Sequence, residues 1–351
     1  MTRKKLAMLV ILGVLTMAMF GCGGSEPAKP AKPAAPAKVE TKFPERAINL
    51  AVWASAGGGT DQVNRLVAAL MEKEIGGKIQ VSNMTGGMGG IATSWVWDAP
   101  HDGYRWVGAS ETLLPMPVNG AHKTTTKDWE YFIAAGSPGV LVVPKDSPYK
   151  TFDDLVKAAK AEPGKIKISN SGVGGLWHMK ANVIAKYAGV PFGYAPYQGS
   201  RPAIVAALSK EVQAAAASAG EVIEFVKSGQ MRPLVMLEKD DFDFPGVGKV
   251  PAVTKTFPQL EKYFPLNQWL GFMIPADTPK PVIEKIEKAY KAAMKDPKVA
   301  EWAKVNVSDV YGLSGKEAKE MAAKQESKMA WMLQEWGIAK QSPEKFGIPK
   351  P

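Results

Sequence analysis

Residues 51–65 read AVWASAGGGTDQVNR: an apolar run, three consecutive glycines, then Thr60 and Asp61 at the head of a helical pattern. At a strand-to-helix junction the first backbone N–H groups of the helix are unpaired, and the helix dipole there favours negative charge. Three missing side chains let a ligand reach the main chain. The chemistry on offer is an anion seat built of Gly57, Gly58 and Gly59, with Thr60 adding a hydroxyl and Asp61 capping the first turn. Phosphate fits it poorly. A P-loop has Lys-Ser/Thr after its last glycine and a dinucleotide loop reads G-x-G-x-x-G; GGGTDQ has neither pattern. Asp61 also makes the seat less welcoming to a highly charged phosphate than to a carboxylate. The plainer alternative is a tight turn that binds nothing.

A second loop, SNSGVGGLWH (Ser169–His178), repeats the design and adds the hydroxyls of Ser169 and Ser171. Ligands of doubly wound sheets bind outside the carboxyl ends of the strands. The two loops are therefore expected to face one another and to suit a molecule polar at both ends. His178 is either a ligand donor or a satisfied residue at a helix start. His101 reads as a turn residue and His122 as a surface one. Trp53 and Trp177 flank the two seats, a position more often core than contact.

Other chemistries find little support. Three scattered histidines and one cysteine do not make a transition-metal site, and no calcium loop is present. Neither a metal nor a cofactor is expected. There is no G-x-S-x-G elbow and no nucleophile beside a readable general base. The reading is a binding protein; the alternatives are an envelope-anchored enzyme acting on a carboxylate on a similar two-lobed fold, or an adhesive lipoprotein.

The elements that would position these loops alternate. Strands are expected at Ala47–Val52, Lys78–Asn83 and Arg105–Ser110, with helices at Asp61–Ile75 and Ile91–Trp97 between them. This β-α-β-α-β order predicts a parallel sheet. A second series runs from GVLVVP (Gly139–Pro144) through KIKIS, YAPY and VQAAAA to RPLVML (Arg232–Leu237), again with helices between. Amphipathic helices, Lys280–Lys295 and Gly315–Trp336, dominate the end. The expected organisation is two α/β lobes, residues 43–144 plus 238–351 and residues 145–237, with the chain crossing twice and a cleft between them.

The 351 residues carry a net charge of +10, of which Arg3, Lys4 and Lys5 form a cluster before the apolar run Leu6–Phe20. That is a secretory signal pattern, and the run is short for a membrane span. Cys22, the one cysteine, follows Gly21 as in a bacterial lipobox, so residues 1–21 read as a lipoprotein signal and Cys22 as the lipid attachment. Residues 22–42, rich in Pro, Ala and Lys, read as a tether. No basic stripe is interleaved with aromatics, which argues against nucleic acid. An extracytoplasmic monomer, lipid-anchored to the bacterial cell membrane or in the periplasmic space, is expected.

From Phe43 to about Asp296 the chain resembles the solute receptors of tripartite tricarboxylate transporters, the TctC or Bug family. FPERAINLAV, AGGGTD, TGGMGG, APHDGY, SGVGGLWH, PYQGSRPA, KSGQMRPLVM and WLGFMIPADTP carry the resemblance in order and spacing. It implies a two-lobed type II periplasmic-binding-protein fold, each lobe a doubly wound sheet. It also implies a small di- or tricarboxylate or aromatic acid as ligand, and the membrane components of such a transporter as partner. By the same match Ser55, Ala56, Gly58, Thr60 and Asp61 belong to the first seat. Ser171, Gly172, Gly175 and His178 belong to the second, with Ser110, Thr112, Tyr197 and Gly199 lining the cleft. The sequence departs from the family pattern at Arg105, where Thr is usual, and at SETLLPMP, which lacks the common Thr-His.

Overall fold

The computed structural model describes residues 42–351. The expected signal segment, Cys22 and all of the expected tether but Lys42 lie outside the described residues.

The first parallel unit forms as the pattern requires. Strands β1 (Ile48–Val52), β2 (Ile79–Asn83) and β3 (Arg105–Ser110) pair in parallel, with β1 in the middle. The helix Gly59–Ile75 connects β1 to β2 and buries Val63, Val67, Met71 and Ile75, one stripe at helical spacing. Gly76 ends it in the left-handed region, and its amide bonds back to the carbonyl of Glu72.

Strand β4 (Trp129–Gly136) joins this sheet, and the chain then leaves it for strand β5 (Gly139–Pro144). Strands β6 (Lys167–Asn170), β7 (Gly193–Pro196), β8 (Ala214–Ser218) and β9 (Met231–Met236) complete a second sheet in the order β7-β6-β8-β5-β9. Here β6, β7 and β8 are parallel, while β5 runs antiparallel to both its neighbours. A hairpin of β10 (Phe242–Phe244) and β11 (Gly248–Val250) follows. Strands β12 (Leu270–Pro275) and β13 (Asp309–Ser314) return to the first sheet, whose order is β13-β4-β12-β3-β1-β2.

Both sheets are covered on two faces, as expected for doubly wound lobes. Along β5 the side chains alternate: Leu141 and Val143 pack into one core cluster, Val140 and Val142 into another. In the first sheet Trp106, Phe272 and Phe132 stack across β3, β12 and β4, with centroids 4.7 and 4.5 Å apart and planes within 10°.

Two boundaries differ from the sequence expectation. Pro144 does not end the first lobe, because β5 is an inner strand of the second sheet. The crossing falls at Ser137-Pro138, between β4 and β5. The return also comes later than residue 238. Phe244 and Val250 pack with Val142 and Met236. Further on, Phe257 meets Phe152, and Gln259 donates to the carbonyl of Tyr187. The second lobe therefore extends to about Tyr263 before β12 re-enters the first sheet. The crossings are tied together: the amide of Ser137 donates to Gln268 Oε1 at 3.0 Å.

Candidate functional site

The glycine loop after β1 forms the junction the sequence implied, but each glycine has its own reason. Gly57 lies at φ +78°, in the left-handed region where a side chain is strained. Gly58 and Gly59 have ordinary backbone angles, and what they leave open is space: a Cβ on either would stand 3.5 Å from Glu221 Oε1. The three amides are all engaged. Gly57 donates to Asp61 Oδ2 at 3.0 Å, Gly58 to the carbonyl of Ser55 at 3.3 Å, and Gly59 to Glu221 Oε1 at 2.9 Å.

Glu221 belongs to the second lobe, at the start of the helix Ala219–Lys227. Its other oxygen accepts from Ser218 Oγ at 2.9 Å. Of the three loop amides, that of Gly59 thus meets a carboxylate, and it is one supplied by the opposite lobe. Ser55 adds a main-chain link across the cleft, donating to the carbonyl of Gln198 at 3.3 Å.

Between the lobes these groups enclose a cavity of about 20 Å³, roughly the space one water molecule needs. From the first lobe Ser55, Gly58, Gly59, Thr60, Ser110 and Thr112 line it, as expected. From the second lobe Ser171, Trp177 and Gly199 do so. The cleft is shut in this form, so any larger ligand must enter by separation of the lobes. Larger openings lie elsewhere; one of about 460 Å³ sits behind the crossings, between Ser137, Glu238 and Tyr311.

Seven expected residues stand away from the cavity. Ala56 and Gly57 are exposed on the outer side of the loop. Asp61 is a scaffold: it holds the Gly57 amide, Arg65 Nε and Asn83 Nδ2. Burial raises its pKa, but those three bonds outweigh burial and hold it below the usual carboxylate range. His178 is a satisfied residue rather than a cationic donor. Its Nδ1 accepts the Gly174 amide at 3.1 Å, and burial pulls its pKa down to about 4. Tyr197 turns its hydroxyl outward to Glu211 at 2.8 Å.

Gly172 and Gly175 serve the approach of the lobes. A Cβ on Gly172, at φ +122°, would fall 2.4 Å from Met88 Sδ, and one on Gly175 would fall 3.2 Å from Thr112 Cγ2. The second glycine loop is bare because side chains of the first lobe press against it.

Sequence reasoning missed or undervalued six lining residues: Trp53, Ala54, Glu111, Ser200, Glu221 and Gln268. Glu111 is fully enclosed. Its Oε2 accepts the Trp269 amide at 3.0 Å and its Oε1 the Thr112 hydroxyl at 3.1 Å. Burial pushes its pKa up to about 7 against those bonds, and the nearby Glu221 adds to the rise.

The comparison that decides the family covers residues 63–338, which match the model described as the tripartite tricarboxylate transporter family receptor, TctC. The chain belongs to this receptor family. TctC receptors are extracytoplasmic solute-binding proteins, not enzymes. A UPF0065 protein of Agrobacterium vitis is 29% identical over 76% of each chain. Another, of Cupriavidus necator, is 28% identical over 85% of this chain and 90% of its own.

The periplasmic binding protein BugD has a solved structure that superposes with a TM-score of 0.77 at 26% identity, over 85% of this chain and all of its own. Two more distant Rhodopseudomonas palustris structures share the fold. One, with adipate, has TM-score 0.74 and 20% identity, covering 85% of this chain and 99% of its own. The other, MatC with bound malate, has TM-score 0.73 and 19% identity, covering 83% and 100%. The TctC fold accounts for the two-lobed architecture. Among the described residues of this receptor, no helix is long and apolar enough to cross a membrane.

Proposed function

We propose that this receptor captures a small carboxylate between its lobes and delivers it to the membrane components of a tripartite tricarboxylate-type transporter. The observation that carries the reading is the meeting of three loops at one cavity: Ser55–Thr60 of the first lobe with Ser171–Trp177 and Gly199-Ser200 of the second. The helices Leu176–Ala188 and Ser200–Leu208 both begin there, so two helix N-termini and several hydroxyls converge on a space that opens when the lobes part. The relatives solved with adipate and malate support the ligand class. Residues 1–21 would direct export, and Cys22 would carry the lipid that anchors the monomeric receptor to the membrane on its extracytoplasmic side.

A thermal-shift panel of mono-, di- and tricarboxylates and aromatic acids tests the capture. A ligand that binds only the folded protein adds about 2.7 kcal/mol at 100 times its Kd, so one member should raise the melting temperature by several degrees. A panel without any shift would overturn the reading. For the anchor, Cys22→Ala should move the protein from the membrane fraction to the soluble one, and retention in the membrane would overturn it.

A further inference from the structure

The cavity walls have an unusual charge balance for a carboxylate receptor. Two carboxylates, Glu111 and Glu221, line the cavity, and no Lys, Arg or His does so among the described residues. Two cations on helices that begin at the cavity are committed elsewhere: Arg65 to Asp61 and Asn83, and Lys180 to Glu238. A second observation points to a ligand at the same place. Trp53 lines the cavity at 3% exposure, and its indole N–H has no partner among the described residues.

The two sets of groups ask for different partners. Trp53 Nε1, the hydroxyls of Ser171 and Ser200 and the N-termini of two helices suit an anion. Glu111 and Glu221 are acceptors only, when ionised. An ionised carboxylate offers about four lone-pair sites; Glu111 uses two, on Trp269 and Thr112, and Glu221 two, on Gly59 and Ser218. Both residues line the cavity with acceptor capacity left over. A ligand carboxylate placed there would meet the carboxylate of Glu221, and that of Glu111 when ionised, in a space with little water, whereas a cation would satisfy both.

We propose that the ligand is a zwitterion, a carboxylate that also bears a cationic nitrogen, and that Glu111 and Glu221 select it by receiving that nitrogen. This rests on the receptor reading above and narrows it. The ligand carboxylate lies toward Ser171 and Ser200, and the nitrogen lies between Glu111 of the first lobe and Glu221 of the second.

Isothermal titration of the full chain in detergent, with ligands paired so that they differ by one amino group, tests this. Suitable pairs are succinate and aspartate, glutarate and glutamate, adipate and 2-aminoadipate, and hexanoate and 6-aminohexanoate. For at least one pair the aminated member should bind about 30-fold more tightly or better, as loss of one charged hydrogen bond would imply. Glu111→Gln and Glu221→Gln, each folded by circular dichroism, should each reduce that preference at least threefold. Three outcomes overturn the proposal and spare the receptor reading. They are equal or tighter binding of the unaminated members, binding of a plain carboxylate with uptake of a proton, and an unchanged preference in both variants. Failure of every carboxylate, aminated or plain, would overturn both.

Discussion

The amide of Gly59 donates across the cleft to Oε1 of Glu221, 162 positions away in sequence, at 2.9 Å. The bond joins the first helix of one lobe to a helix start of the other, so it exists only while the lobes are together. A hydrogen bond to a charged group contributes about 1.5–3 kcal/mol. Glu221→Ala should therefore shift the protein alone toward separated lobes by roughly tenfold or more. Small-angle scattering should show a larger radius of gyration than the parent, and an unchanged radius would show that closure does not depend on this clasp.

Gly58 tests the seat from the other side. Its φ is ordinary and a Cβ there would make contacts no closer than 3.4 Å, to the Ser55 carbonyl, so the fold tolerates a side chain. The added branches of Gly58→Val would occupy the cavity next to Glu221. Carboxylate affinity should fall about tenfold or more, which corresponds to about 1.4 kcal/mol, with an unchanged circular dichroism spectrum. Parental affinity in the folded variant would place the ligand away from this loop.

Glu111 makes the stability of the closed form depend on pH. Its pKa is raised from 4.5 to about 7, so between those values the folded protein holds a proton that the unfolded chain has lost. Stability from this group is present below about pH 4.5 and is lost as pH rises through about 7. The full swing is on the order of 3 kcal/mol. Glu326, also raised to about 7 by burial, acts in the same direction. His178, lowered from 6.5 to about 4, opposes them, losing stability as pH falls through that range. Glu111→Gln should therefore gain stability relative to the parent between pH 5 and 8 in denaturant titrations. A difference that stays flat with pH would contradict the burial of this carboxyl.

The legible part of the fold and the illegible part divide by topology. Strands β1, β2 and β3 and the helix Gly59–Ile75 were readable because glycine punctuation and a helical stripe mark them. Strands β4 and β12 were not. Trp129–Gly136 and Leu270–Pro275 join the first sheet through antiparallel pairing, β12 lying between β3 and β4, and so fall outside the strand–helix alternation from which its parallel strands were read.

In the site, Ser55, Gly58, Gly59 and Thr60 were legible because main-chain chemistry needs glycine in a fixed place. Glu221 was hidden by its local role. It stands three residues after Ser218, and the Ser218 side chain caps it, which reads as an ordinary helix start. Nothing local shows that its carboxylate reaches Gly59. Glu111 carried a fainter signal, lying in SETLLPMP, where the family pattern breaks.

Within the second lobe, the residues after β9 are held to the helix Leu176–Ala188 by an ion pair whose lysine is buried. Lys180 Nζ, with its side chain 1% exposed, meets Glu238 Oε1 at 2.5 Å, and the same oxygen accepts the Gly139 amide at 2.6 Å. Removing one partner of such a pair leaves a buried charge and costs about 3–5 kcal/mol. Glu238→Ala should show a loss of that size in urea unfolding, and Lys180→Met combined with Glu238→Leu should recover much of it. A mild effect of Glu238→Ala alone would mean that Lys180 finds another partner.

The central claim is that the two lobes close on a carboxylate at the seats formed by Ser55–Thr60 and Ser171–Trp177. Its most direct test is a crystal structure of the receptor with the best ligand from the thermal-shift panel. The account predicts one molecule between the lobes, its carboxylate within hydrogen-bond reach of Ser171, Ser200 or the Gly58–Thr60 main chain. A ligand bound outside the cleft, or one touching a single lobe, would contradict it.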